Sequence, residues 1–325
     1  MDMINIRSKF QELKLLNDKI LPLNSIFKKS IPKYYESISF MAYPGVIGDK
    51  VEELISKLKL LCWHTDVQDR KVFAIVQSYG CGKTKTSLML SKEFIVLPWR
   101  IIRSSDLVIW LKKNQKELLE KLPDKTNIVY KDVEKFSFNC LALFASLFRG
   151  HIALFNACVE NRILDKNNFI DRFYFALMLL NSEKCLTEWI INWANHFFKN
   201  NQQNINTEEL LFSDMKLSEK NIVFVLDEVH DLIDLCRGYS LHRSTANNLS
   251  GEERIKFWYE EQSNKMPHPD KKHCTDLFYQ LRHIMLISLS NQNLFGFVMC
   301  STEYRTWEHF EVENSPFSRE KNVLQ

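Results

Sequence analysis

The most constraining feature of this sequence is a short apolar run that ends in a glycine-containing loop and a Lys-Thr pair. The segment "KVFAIVQ" (71–77) is β-branched and aromatic, and "SYGCGKTKTS" follows it directly. An apolar run of this length with these flanks is typical of a buried parallel strand, and the residues after the loop have helical spacing. Because "FIVLPWRII" (94–102) then returns to strand character, the segment predicts a βαβ unit in an α/β fold.

The loop between this strand and the helix has the composition of a phosphate-binding loop. In such loops, backbone N–H groups converge on the phosphates at the N-terminal end of a helix, and glycines allow the close approach. Gly82 directly precedes Lys83, whereas Gln77 stands where the pattern G-x-x-x-x-G-K-[ST] has its first glycine. We predict that Lys83 neutralises phosphate charge and that Thr84 ligates Mg²⁺. The predicted nucleotide-binding residues are Ser78, Tyr79, Gly80, Cys81, Gly82, Lys83, Thr84 and Lys85.

Two further apolar runs end in polar residues that suit nucleotide hydrolysis. The run "NIVFVLDE" (221–228) ends in two acids: Asp227 is predicted to hold Mg²⁺ and Glu228 to act as the general base toward water. The run "LFGFVMCSTE" (294–303) is the last strand candidate, and its Ser301 and Thr302 are predicted to sense the terminal phosphate. Both motifs follow the loop along the chain, and both lie at strand ends. Together they predict a nucleoside triphosphate site.

The remaining sequence predicts mostly helix. With 325 residues, 45% of them hydrophobic, and only 8 Gly and 8 Pro, the chain can bury a large, helix-rich core. Apolar residues recur at spacings of three and four between about 104 and 220, which predicts a helical insertion whose aromatic residues form a core. We therefore predict a helical N-terminal extension over 1–65 and a nucleotide-binding domain over 66–325 that contains this insertion.

Composition argues against several other classes of protein. A net charge of +3 gives weak support for a nucleic-acid partner. The 8 cysteines include no C-x-x-C pair, which favours reduced thiols inside a cell over disulfides or a zinc site. The first 20 residues are charged and lack the apolar core of a signal peptide, and no run approaches the ~18 apolar residues of a membrane span. We expect an intracellular protein with no membrane partner.

Three segments together resemble a known group of P-loop NTPases. These segments are "VQSYGCGKTKTSLMLSKEFIVLPWR", "VFVLDEVHDL" and "LFYQLRHIM…LFGFVMCSTEYRTWEHF". They are similar to the NTPase modules of fungal and oomycete Crinkler-type effectors, which are related to STAND and AAA+ ATPases. The resemblance covers about 71–103, 221–234 and 277–310. It implies an α/β P-loop sheet of the additional-strand, catalytic-glutamate type, and it implies for Lys83, Thr84, the acidic pair and Ser301 or Thr302 the roles given above.

The sequence favours Mg²⁺-dependent binding and hydrolysis of ATP, with GTP second, serving a conformational switch or an oligomeric motor. One alternative is a nucleotide-binding scaffold that does not hydrolyse, because Gln77 weakens the loop. Another is an interaction module in which the helical insertion binds a protein partner or a second copy of the chain. A third is nucleic-acid binding, suggested by Lys271, Lys272 and Arg282.

Overall fold

The protein is an α/β fold built on a parallel five-stranded sheet. The computed structural model describes residues 48–63, 72–76, 83–121, 130–182, 184–201, 221–229 and 295–301, together with residues 211, 277, 280, 281, 284, 285, 323 and 324. The strands are β1 (Val72–Val76), β2 (Ile95–Arg100), β3 (Ile222–Asp227), β4 (Phe295–Ser301) and β5 (Val323–Leu324). Their order across the sheet is β2-β3-β4-β1-β5, and every pairing is parallel. The prediction of an α/β class with a parallel sheet is confirmed.

Helices cover both faces of the sheet. They are α1 (Gly48–Trp63), α2 (Lys83–Met89, continued by a 3-10 turn at Leu90–Lys92), α3 (Asp106–Glu120), α4 (Tyr130–Glu160), α5 (Phe169–Leu180) and α6 (Lys184–Asn201). Four of them, α3 to α6, lie between β2 and β3 along the chain, where the sequence predicts helical structure. Of the predicted helical N-terminal extension over 1–65, residues 48–63 form α1, and residues 1–47, 64 and 65 lie outside the described residues.

Strict alternation along the strands divides the core into two layers. On one face, Trp99, Phe224 and Phe297 pack with residues of α4. On the other face, Val225 and Val298 pack with residues of α1, α2 and α5. The period of two places successive side chains on opposite faces. Strands β2, β3 and β4 are therefore buried on both faces, which explains their continuous apolar sequences.

Helix α4 is the centre of the first layer. Phe148 lies 4.6 Å from Phe224 of β3 and 5.8 Å from Phe297 of β4, measured between ring centroids. The stretch Phe138–Glu160 is long and apolar enough to cross a membrane, but 78% of its most apolar window is buried inside the protein. Its apolar surface is therefore used for packing against the sheet.

The edge strand β2 is protected on its open side. Pro98, which has no N–H to donate to a neighbouring strand, lies in this strand, and a proline is tolerated at a sheet edge. Helix α5 runs beside the strand and contributes Phe173 and Phe175 to the two core layers. Covering an edge with a helix prevents pairing with another chain.

Two predictions of secondary structure are wrong in detail. The last strand is not 294–303, because Val323–Leu324 forms a further short strand beside β1. A pair of residues is too short to show a periodic pattern. The apolar stretch Phe138–Glu160 predicts a helix, whereas α4 begins eight residues earlier, at Tyr130, because charged residues interrupt the apolar pattern in its first two turns.

Because the side chain of His151 in α4 is buried, we expect the protein to lose stability in acid. Its ring is buried between Trp99 and Phe224, and its Nδ1 donates to the Leu147 carbonyl at 2.8 Å. Burial lowers the pKa of His151 to about 4, and the hydrogen bond to Leu147 opposes this only in part. The unfolded chain therefore takes up this proton at a higher pH than the folded protein does. We expect the free energy of unfolding to fall by about 3 kcal/mol as the pH drops from 6.5 to 4.

Denaturant unfolding at several pH values measures this effect. His151→Phe removes the titrating group and keeps an aromatic ring, so its unfolding free energy should fall less over the same pH range. Equal pH dependence in the two proteins would rule out His151 as the cause.

Candidate functional site

The candidate site lies where the carboxyl ends of β1, β3 and β4 meet. Asp227 is the last residue of β3 and Ser301 the last residue of β4. Ser301 is paired in register with Val76, the last residue of β1, from which the glycine loop leads to Lys83. In parallel sheets, ligands bind outside this edge, at the point where strand order reverses. The structure thus places Ser301 next to the end of β1, the strand that precedes the loop, and Asp227 one strand further along the same edge.

A row of three residues crosses the sheet just below this edge. Arg100, Asp227 and Cys300 are Cα partners on the neighbouring strands β2, β3 and β4. The alternation that buries Val225 and Val298 against α2 puts Asp227 and Cys300 on the same face, toward that helix. A hydrogen bond from the Ile101 N–H to the Asp227 carbonyl, 2.8 Å long, fixes this register at the end of β2.

Lys83 and Asp227 come together at the site although they are 144 positions apart in the chain. Lys83 is the first residue of α2, and both side chains are buried, with exposed fractions of 7% and 5%. Burial raises the pKa of Asp227 to about 6, and the negative charge of Glu228 acts in the same direction. The positive charges of Arg100 and Lys83 and a backbone hydrogen bond from Glu228 act in the opposite direction. Asp227 is therefore a buried acid whose charge is incompletely balanced by the protein.

Glu228 has a backbone conformation that is unusual for its position. Three non-glycine residues among those described have positive φ, and two of them, Arg162 and Ser182, follow the ends of helices, where this conformation is common. Glu228 instead follows a strand, with φ at 59°. After it, the Val229 N–H donates to the Cys300 carbonyl of β4 at 3.4 Å. Strain of this kind is concentrated at functional sites.

Hydrogen bonds connect helix α2 to strand β4. The Ser87 hydroxyl donates to the Thr84 carbonyl at 2.9 Å, and the side chains of Ser87 and Cys300 are hydrogen bonded. Burial raises the pKa of Cys300 well above its usual value, so the thiol stays neutral. This connection holds the first turn of α2 against the strand that ends in Ser301. Sequence reasoning missed it, since neither residue belongs to a motif.

The structure describes some of the predicted site residues and leaves others out. Lys83, Thr84, Lys85, Asp227, Glu228 and Ser301 are described, and Thr84, Lys85 and Glu228 are half-buried. The loop over 77–82 and Thr302 lie outside the described residues, as does Arg282. Sequence reasoning also missed Arg100. It ends the observed strand β2 but lies inside the predicted run 94–102, so the sequence does not mark it as a strand end.

The arrangement can bind a polyanion together with a divalent cation. A lysine is held beside a buried carboxylate, a second carboxylate follows, and a serine hydroxyl ends the neighbouring strand. Within the described ranges, no three or more His, Cys, Asp or Glu side chains are grouped so that they hold a metal by themselves. A metal at Asp227 would thus need oxygen ligands from water or from a bound phosphate. Comparison with protein-family models, with curated proteins and with solved structures finds no match for this chain.

Proposed function

We propose that this protein is a P-loop NTPase that binds and hydrolyses a nucleoside triphosphate, preferably ATP, with Mg²⁺. The observation that carries the proposal is the sheet order β2-β3-β4-β1. In this order only β4 separates β1, which precedes Lys83 in the chain, from β3, which ends in Asp227, and the charge of Lys83 acts on Asp227. Sequence motifs identify the lysine and the acid separately, and their meeting at one edge is an independent support. The additional strand is β4, which lies between β1 and β3.

The residues at this edge fit a magnesium ion. Mg²⁺ is usually held by one or two carboxylates with substrate phosphates and water, and Asp227 and Thr84 are the residues that would hold it here. The incomplete compensation of the Asp227 charge by Arg100 and Lys83 supports this fit, since a divalent cation would offset it. When bound, Mg²⁺ supplies neutralisation of the charge on the β- and γ-phosphates.

The chain's own residues would perform the remaining steps. Lys83 and the backbone amides of residues 80–84 would bind the phosphates and stabilise the negative charge that develops on them. Glu228 accepts a proton from the water whose oxygen attacks the γ-phosphorus as the bond to the β-phosphate oxygen breaks. Ser301 or Thr302 orients that water and the terminal phosphate.

Hydrolysis in such a protein serves a conformational switch, and the helices between β2 and β3 offer a surface for a protein partner or a second copy of the chain. We also propose that the chain is related to Crinkler-type NTPase modules and that it is located inside the cell. A non-hydrolysing scaffold is the second candidate, because Gln77 replaces the first glycine of the loop.

Binding of a fluorescent ATP analogue, with and without Mg²⁺, tests the nucleotide site. We expect Lys83→Ala to weaken binding by about 10- to 100-fold, because a charge-assisted hydrogen bond to phosphate is lost. Lys112→Ala is the matched control, since Lys112 is exposed on α3 and is not among the residues assigned to the site. Absence of binding by the folded wild-type protein, or equal binding by Lys83→Ala, would contradict the proposal.

A further inference from the structure

Arg100 is a cation at the candidate site to which no motif assigns a role. It is the last residue of β2 and the Cα partner of Asp227 on the neighbouring strand. Alternation places it on the same face of the sheet as Asp227, because Trp99 and Ile101 on either side belong to the opposite core layer. Neighbouring strands are about 4.8 Å apart, so the side chains of Arg100 and Asp227 start side by side.

The Arg100 guanidinium is available to a ligand. The Arg100 side chain is exposed, although Trp99 before it and Ile101 after it are buried. It forms no hydrogen bond or ion pair with the other residues that the structure describes, and its positive charge acts on Asp227 by electrostatic attraction. An arginine that served only to stabilise the strand end would be expected to bond to it. This guanidinium instead lies exposed beside the Asp227 carboxyl group.

The position of β2 defines which part of a nucleotide Arg100 can reach. The loop after β1 would hold the phosphates, and β4, β3 and β2 follow from β1 in that order. Arg100 therefore approaches from the side of Asp227 and Glu228, where the terminal phosphate and the attacking water must lie if Glu228 is the base. The two carboxylates would repel that phosphate, and a protein cation on this side would reduce the repulsion together with Mg²⁺. A guanidinium is suited to it, because its fork of N–H donors matches phosphate oxygens.

We propose that Arg100 binds the terminal phosphate of the nucleotide and so distinguishes the triphosphate from the diphosphate within one chain. This inference rests on the proposed nucleotide site and adds to it the residue that reads the third phosphate. Lys83 and the loop contact the nucleotide from the β1 side, and Arg100 contacts it from the β2 side.

Equilibrium binding of ribose-labelled fluorescent ATP and ADP in the presence of Mg²⁺ tests this assignment. For Arg100→Ala we expect ATP affinity to fall by about 10- to 100-fold, whereas ADP affinity changes by less than about threefold. Arg100→Lys keeps the charge but loses the fork and should lie between wild type and Arg100→Ala. Arg103→Ala is the matched control, since it removes the same charge from an exposed residue three positions later and should affect both nucleotides equally. Circular dichroism establishes that each variant is folded.

The results separate this inference from the function on which it rests. If the wild-type protein binds nucleotide through Lys83 but Arg100→Ala binds ATP and ADP as the wild type does, or loses both equally, the Arg100 assignment is wrong and the nucleotide site stands. If the wild-type protein binds neither nucleotide, both proposals are wrong.

Discussion

Glu228→Gln should bind ATP as tightly as the wild-type protein and hydrolyse it about 10²- to 10⁴-fold more slowly. The amide keeps the size and the hydrogen-bonding oxygen of the carboxylate but is unable to accept a proton from water. Because glutamine is no better suited to φ at 59° than glutamate, the strain at this position is unchanged. Phosphate release under saturating ATP, combined with fluorescent-analogue binding, measures the two effects separately.

The matched control is Glu117→Gln, which makes the same chemical change at an exposed position of α3 and should leave turnover unchanged. Survival of turnover in Glu228→Gln would show that Glu228 is not the base. A wild-type protein that binds ATP through Lys83 but releases no phosphate would favour the non-hydrolysing scaffold. Glu228→Gly adds a test of the strain, since glycine adopts positive φ freely. It should be inactive, yet at least as stable toward denaturant as Glu228→Gln.

Arg172→Leu should lower the free energy of unfolding by about 3 to 5 kcal/mol. The Arg172 side chain is 2% exposed and donates to three backbone carbonyls, those of Ser91 at 3.0 Å, Lys92 at 2.9 Å and Lys166 at 2.7 Å. Burial lowers the pKa of Arg172, and the carboxylates of Glu93 and Asp165 act in the opposite direction. Leucine fills part of the space but leaves these three carbonyls without the donor, two of them at the turn that connects α2 to β2 and one between α4 and α5.

Urea unfolding of the two proteins measures this loss. Arg172→Lys keeps the charge but is unable to reach all three carbonyls in one geometry, so its stability should lie between the two. Arg162→Leu is the matched control because Arg162 is exposed, and its effect should stay within about 0.5 kcal/mol. A loss for Arg172→Leu as small as that of the control would mean that water replaces the guanidinium at these carbonyls.

The elements that sequence predicts well are those whose signal lies within a few neighbouring residues. Strands β2, β3 and β4 are apolar because both their faces are buried, and each of the strands β1 to β4 lies within its predicted run. The five described residues from Leu277 to Met285 are helical and buried, and they recur at spacings of three and four. The order of strands carries no such local signal, and β5 has two residues only.

The residues of the candidate site also fall into two groups, those that the sequence identifies and those that it does not. Lys83, Asp227 and Glu228 belong to motifs, so their sequence neighbours identify them. Arg100 and the Ser87–Cys300 connection acquire their roles only when β2, β3 and β4 lie side by side. The positive φ of Glu228 also has no sequence signal, because a strand-ending Asp-Glu pair is usually extended. Contacts between distant segments determine these features.

The aromatic contact between α4 and the sheet also limits how the molecule can move. Phe148 packs against Phe224 and Phe297, on the strands that end in Asp227 and Ser301. A tightly packed core resists small displacements and changes only by repacking. The long helix and the edge of the sheet that carries the candidate site are therefore one stiff block, and α4 does not act as a lever that swings over a fixed sheet. Any conformational change driven by nucleotide turnover would have to occur outside the block that α4 forms with β3 and β4.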